Sequence, residues 1–202
     1  MPGHGIHIRK QQGNPTMGLK LNLGSGQNPQ PGFVNVDKFG EPDLRCDLEA
    51  FPWPWPDNSV SEIVMNHVLE HLGASADVFI GIMKELYRVC EPGARIRIAV
   101  PHPRHDTFIN DPTHVRPITP ELLSLFSKRQ NLRWKEMGAA NSPLALYHGV
   151  DFEVVSKEYF LDEPYSSDLR QGRLDQEELQ ALLRKHNNVA SEISITLQAV
   201  KS

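Results

Sequence analysis

Five of the nine histidines crowd into two short segments. The first is Asn66-His67-Val68-Leu69-Glu70-His71. The second runs from Pro101-His102-Pro103-Arg104-His105-Asp106 to Asn110-Asp111-Pro112-Thr113-His114-Val115-Arg116. An imidazole titrates near neutrality, so it can take a proton from a hydroxyl or amine at physiological pH. His67, His105 and His114 are therefore the candidate catalytic residues, and His102 is a further residue placed to touch a substrate. The competing reading is structural, with His114 and Asp111 making turn contacts. His102, His105, Asp106, Asp111 and His114 are also ligand types for zinc, iron or manganese. They lack cysteine partners and a firm ligand spacing, so no metal site is assigned. Arg104 and Arg116 could clamp an acidic group.

A second set of residues lies nearer the amino terminus. Gly24-Ser25-Gly26 follows Leu19-Lys20-Leu21-Asn22-Leu23, an alternating apolar stretch that reads as a strand. Glycines there let the chain turn sharply and let a ligand come close to the backbone. The third glycine of a dinucleotide fingerprint is missing and no Gly-Lys-Ser/Thr follows, which disfavours a pyrophosphate or triphosphate cradle. Asp37 ends a second strand, Phe33 to Val36, where an acid can accept two ribose hydroxyls. Asp47 ends a weaker third strand from about Leu44, and Leu48 beside it suits the face of an adenine. Asn66 and His67 follow a fourth strand, Ser61 to Met65. Taken singly, Asp37 and Asp47 read equally well as turn caps and His71 as a surface helix residue. Together, four polar features end four successive strands, which is where open α/β sheets bind ligands.

The elements that must hold these residues are legible from periodicity. Val78, Phe79, Ile82, Met83, Leu86, Tyr87 and Cys90 recur at helical spacing, so Ser75 to Cys90 is a helix stopped by Pro92-Gly93. Ala94 to Val100 alternates as a fifth strand, and residues 101 to 118 form a polar loop. Thr119-Pro120-Glu121 opens a short helix through Leu122, Leu123 and Phe126. A strand near Phe152 to Phe160, a helix near Asp175 to His186 and a strand near Glu192 to Val200 follow. Strand, helix, strand in the middle implies a parallel sheet, and the closing pair of strands fits one reversed strand at its end. Residues 24 to 32, with Pro29 and Pro31, are too few for a standard crossover helix. The first connecting helix, and the second with it, should be reduced to turns. Trp53 and Trp55 are expected to pack over the core, in preference to serving as an aromatic platform.

At 202 residues, 39% apolar and 23% charged, the chain fits one globular domain, residues 19–202, behind a flexible leader of residues 1–18. The net charge of -4 gives no global attraction to nucleic acid or an anionic membrane. No apolar run reaches the ~20 residues of a membrane span. Cys46 and Cys90 read as free thiols in a reducing compartment, and cytoplasm is the expected location.

The ordered set Leu21-Asn22-Leu23-Gly24-Ser25-Gly26, Gly32-Phe33-Val34-Asn35-Val36-Asp37, Cys46-Asp47-Leu48, Pro56-Asp57-Asn58-Ser59, His67-Val68-Leu69-Glu70-His71 and Glu91-Pro92-Gly93 resembles a class I S-adenosylmethionine (SAM)-dependent methyltransferase. Within that class it is similar to the small predicted bacterial and phage methyltransferases with a type-11-like domain. The resemblance spans roughly residues 19 to 118. It implies a Rossmann-like α/β sheet, mostly parallel, of seven strands with the last antiparallel. It also implies that Leu23, Gly24, Ser25 and Gly26 hold the methionine and ribose part of SAM and Asp37 the ribose. Asp47 and Leu48 would meet the adenine, and Asn66 and His67 would lie beside the transferred methyl.

The expected reaction moves a methyl from SAM to an oxygen or nitrogen of a small molecule or saccharide, leaving S-adenosylhomocysteine. Two alternatives stand beside it, a non-catalytic SAM-binding module and a metal-dependent hydrolase built on the His102–His114 loop. The acidic pI near 6.1 and the lack of an Asn/Asp-Pro-Pro-aromatic tetrapeptide weigh against methylation of nucleic-acid bases.

Overall fold

The computed structural model describes residues 18–201. The leader expected at residues 1–18 therefore lies, but for Gly18, outside the described residues. Seven strands form one sheet in the order β3-β2-β1-β4-β5-β7-β6. They are β1 (Leu19–Leu23), β2 (Val34–Asp37), β3 (Leu44–Arg45), β4 (Val60–Asn66), β5 (Cys90–Pro101), β6 (Phe152–Leu161) and β7 (Ala190–Ala199). Pairings among β1 to β5 are parallel, and β7 runs antiparallel to both β5 and β6. The mostly parallel seven-stranded sheet with a reversed last strand is thus present.

Helix α1 (Ala76–Val89) covers the middle of one face. The Ser75 hydroxyl caps it by accepting the Val78 amide, which satisfies one of the amides that a helix start leaves unpaired. Its periodic residues Phe79, Ile82, Met83, Leu86 and Val89 are buried against Leu21, Leu23, Ile63, Met65, Ile96, Ile98 and Val100. Pro92-Gly93 does end the helix, but as part of the next strand. β5 begins at Cys90, and the register slips between Val60 and Glu62 of β4 to absorb the irregular stretch.

No helix joins β1 to β2, β2 to β3 or β3 to β4 among the described residues. A side-chain network stands in the place of the first crossover. The Asn22 amide, 3% exposed, donates to the Asn28 carbonyl and to Asn35 Oδ1, which also accepts the Gln30 amide. Asn35 donates in turn to Asp43 Oδ2 through its backbone and side chain, and these two bonds hold the Asp43 carboxyl below its ordinary range.

After β5 the expected polar loop carries one short turn, α2 (Asp106–Ile109). Thr119 caps α3 (Pro120–Ser124) with the proline at its first turn. Three further helices were not legible in the sequence: α4 (Lys128–Glu136), α5 (Leu144–His148) and α6 (Tyr165–Arg170). The last, α7 (Gln176–Lys185), starts with a capping box between Asp175 and Glu178. Trp53 and Trp55 are buried edge to face in the core, and the Trp53 indole donates to the Leu48 carbonyl. Cys46 and Cys90 are free thiols. No helix of the described residues is long and apolar enough to cross a membrane.

Candidate functional site

The carboxyl ends of β1, β2 and β4, with the segments that follow them, enclose a cavity of about 400 Å³. Its floor is the turn after β1. Gly24 there has φ +69°, and a Cβ on it would fall 2.3 Å from Val68 Cγ2. Both the left-handed backbone and the close approach of Val68 require glycine at this position. The Gly24 and Ser25 amides both donate to the Val36 carbonyl, and the Gly26 amide donates to Asp37 Oδ2. The turn is therefore rigid, and these three donors are already engaged. What it offers a ligand is a surface without side chains.

Asp37 and Asp47 stand on the cavity wall with their carboxylates partly engaged. Asp37 Oδ1 accepts the Phe39 amide, and Asp47 Oδ1 accepts the Glu49 amide. A carboxylate has about four acceptor sites, so each acid keeps lone pairs for hydroxyl or amino donors. Leu48 supplies an apolar wall, and Phe39, 71% exposed, stands at the rim.

His67 follows β4 in a left-handed conformation, φ +53°, and its half-exposed ring also lines the cavity. Nε2 lies 2.7 Å from Glu192 Oε2 on β7, and Nδ1 lies 3.5 Å from Glu70 Oε1. The neighbouring carboxylates, Glu70 first and then Glu192, raise the proton affinity of the ring against its partial burial. The shorter contact puts a hydrogen on Nε2 and leaves Nδ1 as the basic nitrogen.

Of the positions expected to hold the cofactor, Gly24, Gly26, Asp37, Asp47, Leu48 and His67 line the cavity, whereas Leu23, Ser25 and Asn66 do not. Leu23 and Ser25 are buried, 0% and 4% exposed, because alternate strand positions point into the core and Ser25 tucks beneath the turn. Asn66 faces a separate depression with Gln30, Arg97 and Ser194, as the two-residue period of β4 requires. Lys38, Phe39, Cys46, Glu49, Val68, His71 and Leu72 line the cavity as well. Most of these flank positions already singled out, and their proximity in sequence was the available signal.

The expected catalytic roles of His105 and His114 are not supported by their placement. His105 caps α2: Nδ1 accepts the Thr107 amide, so Nε2 carries the hydrogen that binds Asp162 Oδ2 at 2.9 Å. It lines neither this cavity nor the one at α3 and α7. His114 has a side chain 6% exposed, donates from Nδ1 to the Phe108 carbonyl and stacks on the Phe108 ring. His102 lines a second cavity, also about 400 Å³, with Tyr159, Lys157 and Arg184. Burial holds its proton affinity below that of a free imidazole. Arg116 lies over the Phe79 ring at 4.5 Å and donates to the Gly73 carbonyl, which makes it a brace of the scaffold.

No protein-family profile matches the chain, and no curated protein matches it in sequence. Solved structures do. A SAM-dependent methyltransferase from Archaeoglobus fulgidus superposes with a TM-score of 0.58 at 17% identity, over 90% of this chain and 86% of that one. The YcgJ protein of Bacillus subtilis gives 0.50 at 14% identity, over 92% of both chains. A 1,6-didemethyltoxoflavin-N1-methyltransferase of Burkholderia thailandensis, solved with bound 1,6-didemethyltoxoflavin and S-adenosylhomocysteine, gives 0.50 at 12% identity, over 91% of this chain and 71% of that one. With the strand order, these likenesses establish the class I methyltransferase fold.

Proposed function

We propose that the chain is a SAM-dependent methyltransferase acting on an oxygen or nitrogen of a small molecule or saccharide. The observation that carries this reading is the single cavity that gathers Gly24, Gly26, Asp37, Asp47, Leu48 and His67 at the carboxyl ends of the strands. Asp37 accepts ribose hydroxyls with its remaining lone pairs, Leu48 packs on the adenine face and Asp47 meets the adenine edge. The glycine turn presents the ribose and methionine part with bare backbone at Gly24 and Gly26. A neighbour with the same fold is a 1,6-didemethyltoxoflavin-N1-methyltransferase, which agrees with the proposed acceptor class. The net charge of -4 agrees with an acceptor other than a nucleic acid.

SAM, when bound, would supply the methyl on an already activated sulfonium, with S-adenosylhomocysteine as the leaving group. The protein aligns the acceptor behind the methyl, excludes water and takes the acceptor's proton. His67, whose ring lines the cavity, takes that proton, while Glu192 holds the ring through Nε2.

Calorimetry with S-adenosylhomocysteine tests the cofactor. Micromolar binding is expected in the native chain, and none in Gly24→Asp, whose side chain meets Val68 and fills the floor of the cavity. A native chain that binds neither SAM nor S-adenosylhomocysteine refutes the reading. His67→Ala should keep the binding and lose about 100-fold or more in turnover. Turnover of labelled SAM on small-molecule extracts separates the enzyme from a binding module.

A further inference from the structure

We infer that Glu70, His71 and His114 form a binding site for a divalent transition metal ion, zinc above all, on the wall of the cavity. Glu70 lies in the 3-10 turn Leu69–His71 that follows β4, and its backbone carbonyl accepts the Val115 and Arg116 amides. That pairing brings the loop after β5 against the turn after β4. Glu70 is 0% exposed, and neither of its carboxylate oxygens accepts a hydrogen bond among the described residues; the nearest nitrogens are His67 Nδ1 at 3.5 Å and His71 Nε2 at 3.9 Å, both from Oε1. A buried carboxylate without a partner is expensive, and such groups are ordinarily paired or coordinate a metal.

The two imidazoles facing it are held in the tautomer that a metal requires. Thr113 Oγ1 donates to Asp111 Oδ1 at 2.6 Å, so it accepts from His71 Nδ1 at 2.9 Å. The His114 Nδ1 hydrogen goes to the Phe108 carbonyl, which can only accept. Each ring therefore presents a bare Nε2 lone pair. His71 Nε2 lies 3.9 Å from Glu70 Oε1, and one ligand atom from each of the three residues lies within 4.8 Å of the others. Three acceptor groups face one another with no hydrogen to share between them, and a cation resolves that conflict. Nδ1 bonds to a hydroxyl and a carbonyl are the outer contacts that orient metal-bound histidines.

Two nitrogens and a carboxylate are ligands for zinc or a similar ion. Ligands about 2.1 Å from a tetrahedral ion stand roughly 3.4 Å apart, so the cluster would close by about an ångström on binding. Asp111 Oδ2, 3.7 Å from His114 Nε2, is free to become a fourth ligand, since the Thr113 contacts fall on Oδ1. The loop histidines His102 and His105 are not members; Glu70 and His71 from the neighbouring turn replace them. The ion would clamp the loop after β5 to the turn carrying His71, a residue of the cavity wall.

The test needs no cofactor and so stands apart from the methyltransferase reading. Full-length protein purified without an affinity tag and stripped with chelator is titrated with zinc by calorimetry, alongside thermal unfolding. The expected result is one tight ion per chain and a rise in melting temperature. His114→Ala and Glu70→Gln should each weaken binding about 100-fold or more, and Thr113→Val, which removes an outer contact, about 10- to 100-fold. Substituting His4 and His7 together, or the exposed His186, should change nothing. In the stripped protein, Glu70→Gln should leave the melting temperature unchanged or raise it, because the new amide can donate to the bare imidazole nitrogens facing it; with zinc the order reverses. No tight ion in the native chain overturns the site. So does undiminished binding in either folded ligand variant, or a stripped Glu70→Gln protein that melts well below the native one.

Discussion

The two faces of the sheet are built on different principles. On one, Leu21, Ile63, Ile96, Ile98, Ile195 and Leu197 are fully buried, and α1 lies across the middle. On the other, register aligns Lys20, Glu62, Arg95 and Gln198 across four strands, with Arg97 opposite Thr196 and Ala99 opposite Ser194. These residues remain half-exposed or exposed. Parallel sheets are ordinarily covered on both faces. Here one face does without crossover helices because Lys20, Glu62 and Arg97 form ion pairs across it and Asn22, Asn35 and Asp43 bond the short loops over its edge. Apolar burial therefore concentrates on one side of the sheet, while the polar side has only to satisfy its own charges.

Substitutions on the two faces should separate accordingly. The largest effect is expected from Ile96→Ala on the covered face. A fully buried isoleucine reduced to alanine should cost about 2–5 kcal/mol in denaturant unfolding, and a loss under 1 kcal/mol would mean that this face is not the core. Next comes Glu85 on α1, which accepts the Trp53 amide and two Arg88 donors. Arg88 in turn binds the Trp53 and Trp55 carbonyls, so Glu85→Gln should cost about 1–3 kcal/mol.

The same residue gives a pH test. Arg88 first, and the Trp53 amide as well, hold the Glu85 carboxyl below the usual range against its burial. The folded state thus binds this proton less readily than the unfolded one. The stabilisation is fully present above the ordinary glutamate range and is lost as pH falls through the lowered folded value. Native and Glu85→Gln stabilities should therefore converge in acid, and parallel curves would refute the assignment. The smallest effect is expected from Glu62→Ala on the open face, about 0–1 kcal/mol and less in high salt. A loss comparable to that of Ile96→Ala would show that the polar face carries more of the fold than its exposure suggests.

Much of this contrast was legible beforehand. Ala94 to Val100 alternates strictly, with Arg95 and Arg97 between apolar residues, which marks a strand with one wet face. α1 was legible because its apolar stripe is complete. α4 was not, since Lys128–Glu136 buries only Asn131. The helix is held instead by that side chain, which accepts the Ala145 amide and donates to the Leu125 carbonyl. Such a contact has no period to read. In the site, the strand-end residues Gly24, Asp37, Asp47 and His67 were legible because strand ends are where ligands bind. The histidines of the long loop were legible only as chemistry, without positions.

The sequence alone determined the strand-turn pattern, the shortened connections and the set of strand-end groups, because these follow from local period and the conformational limits of glycine and proline. Only the tertiary structure decided which side chains meet. It directed Asn66 away from the cavity, gave His105 to a helix cap, and placed His114 against Glu70 and His71. The last of these depends on backbone hydrogen bonds between segments more than forty residues apart, from Val115 and Arg116 to Glu70, and no local pattern encodes it.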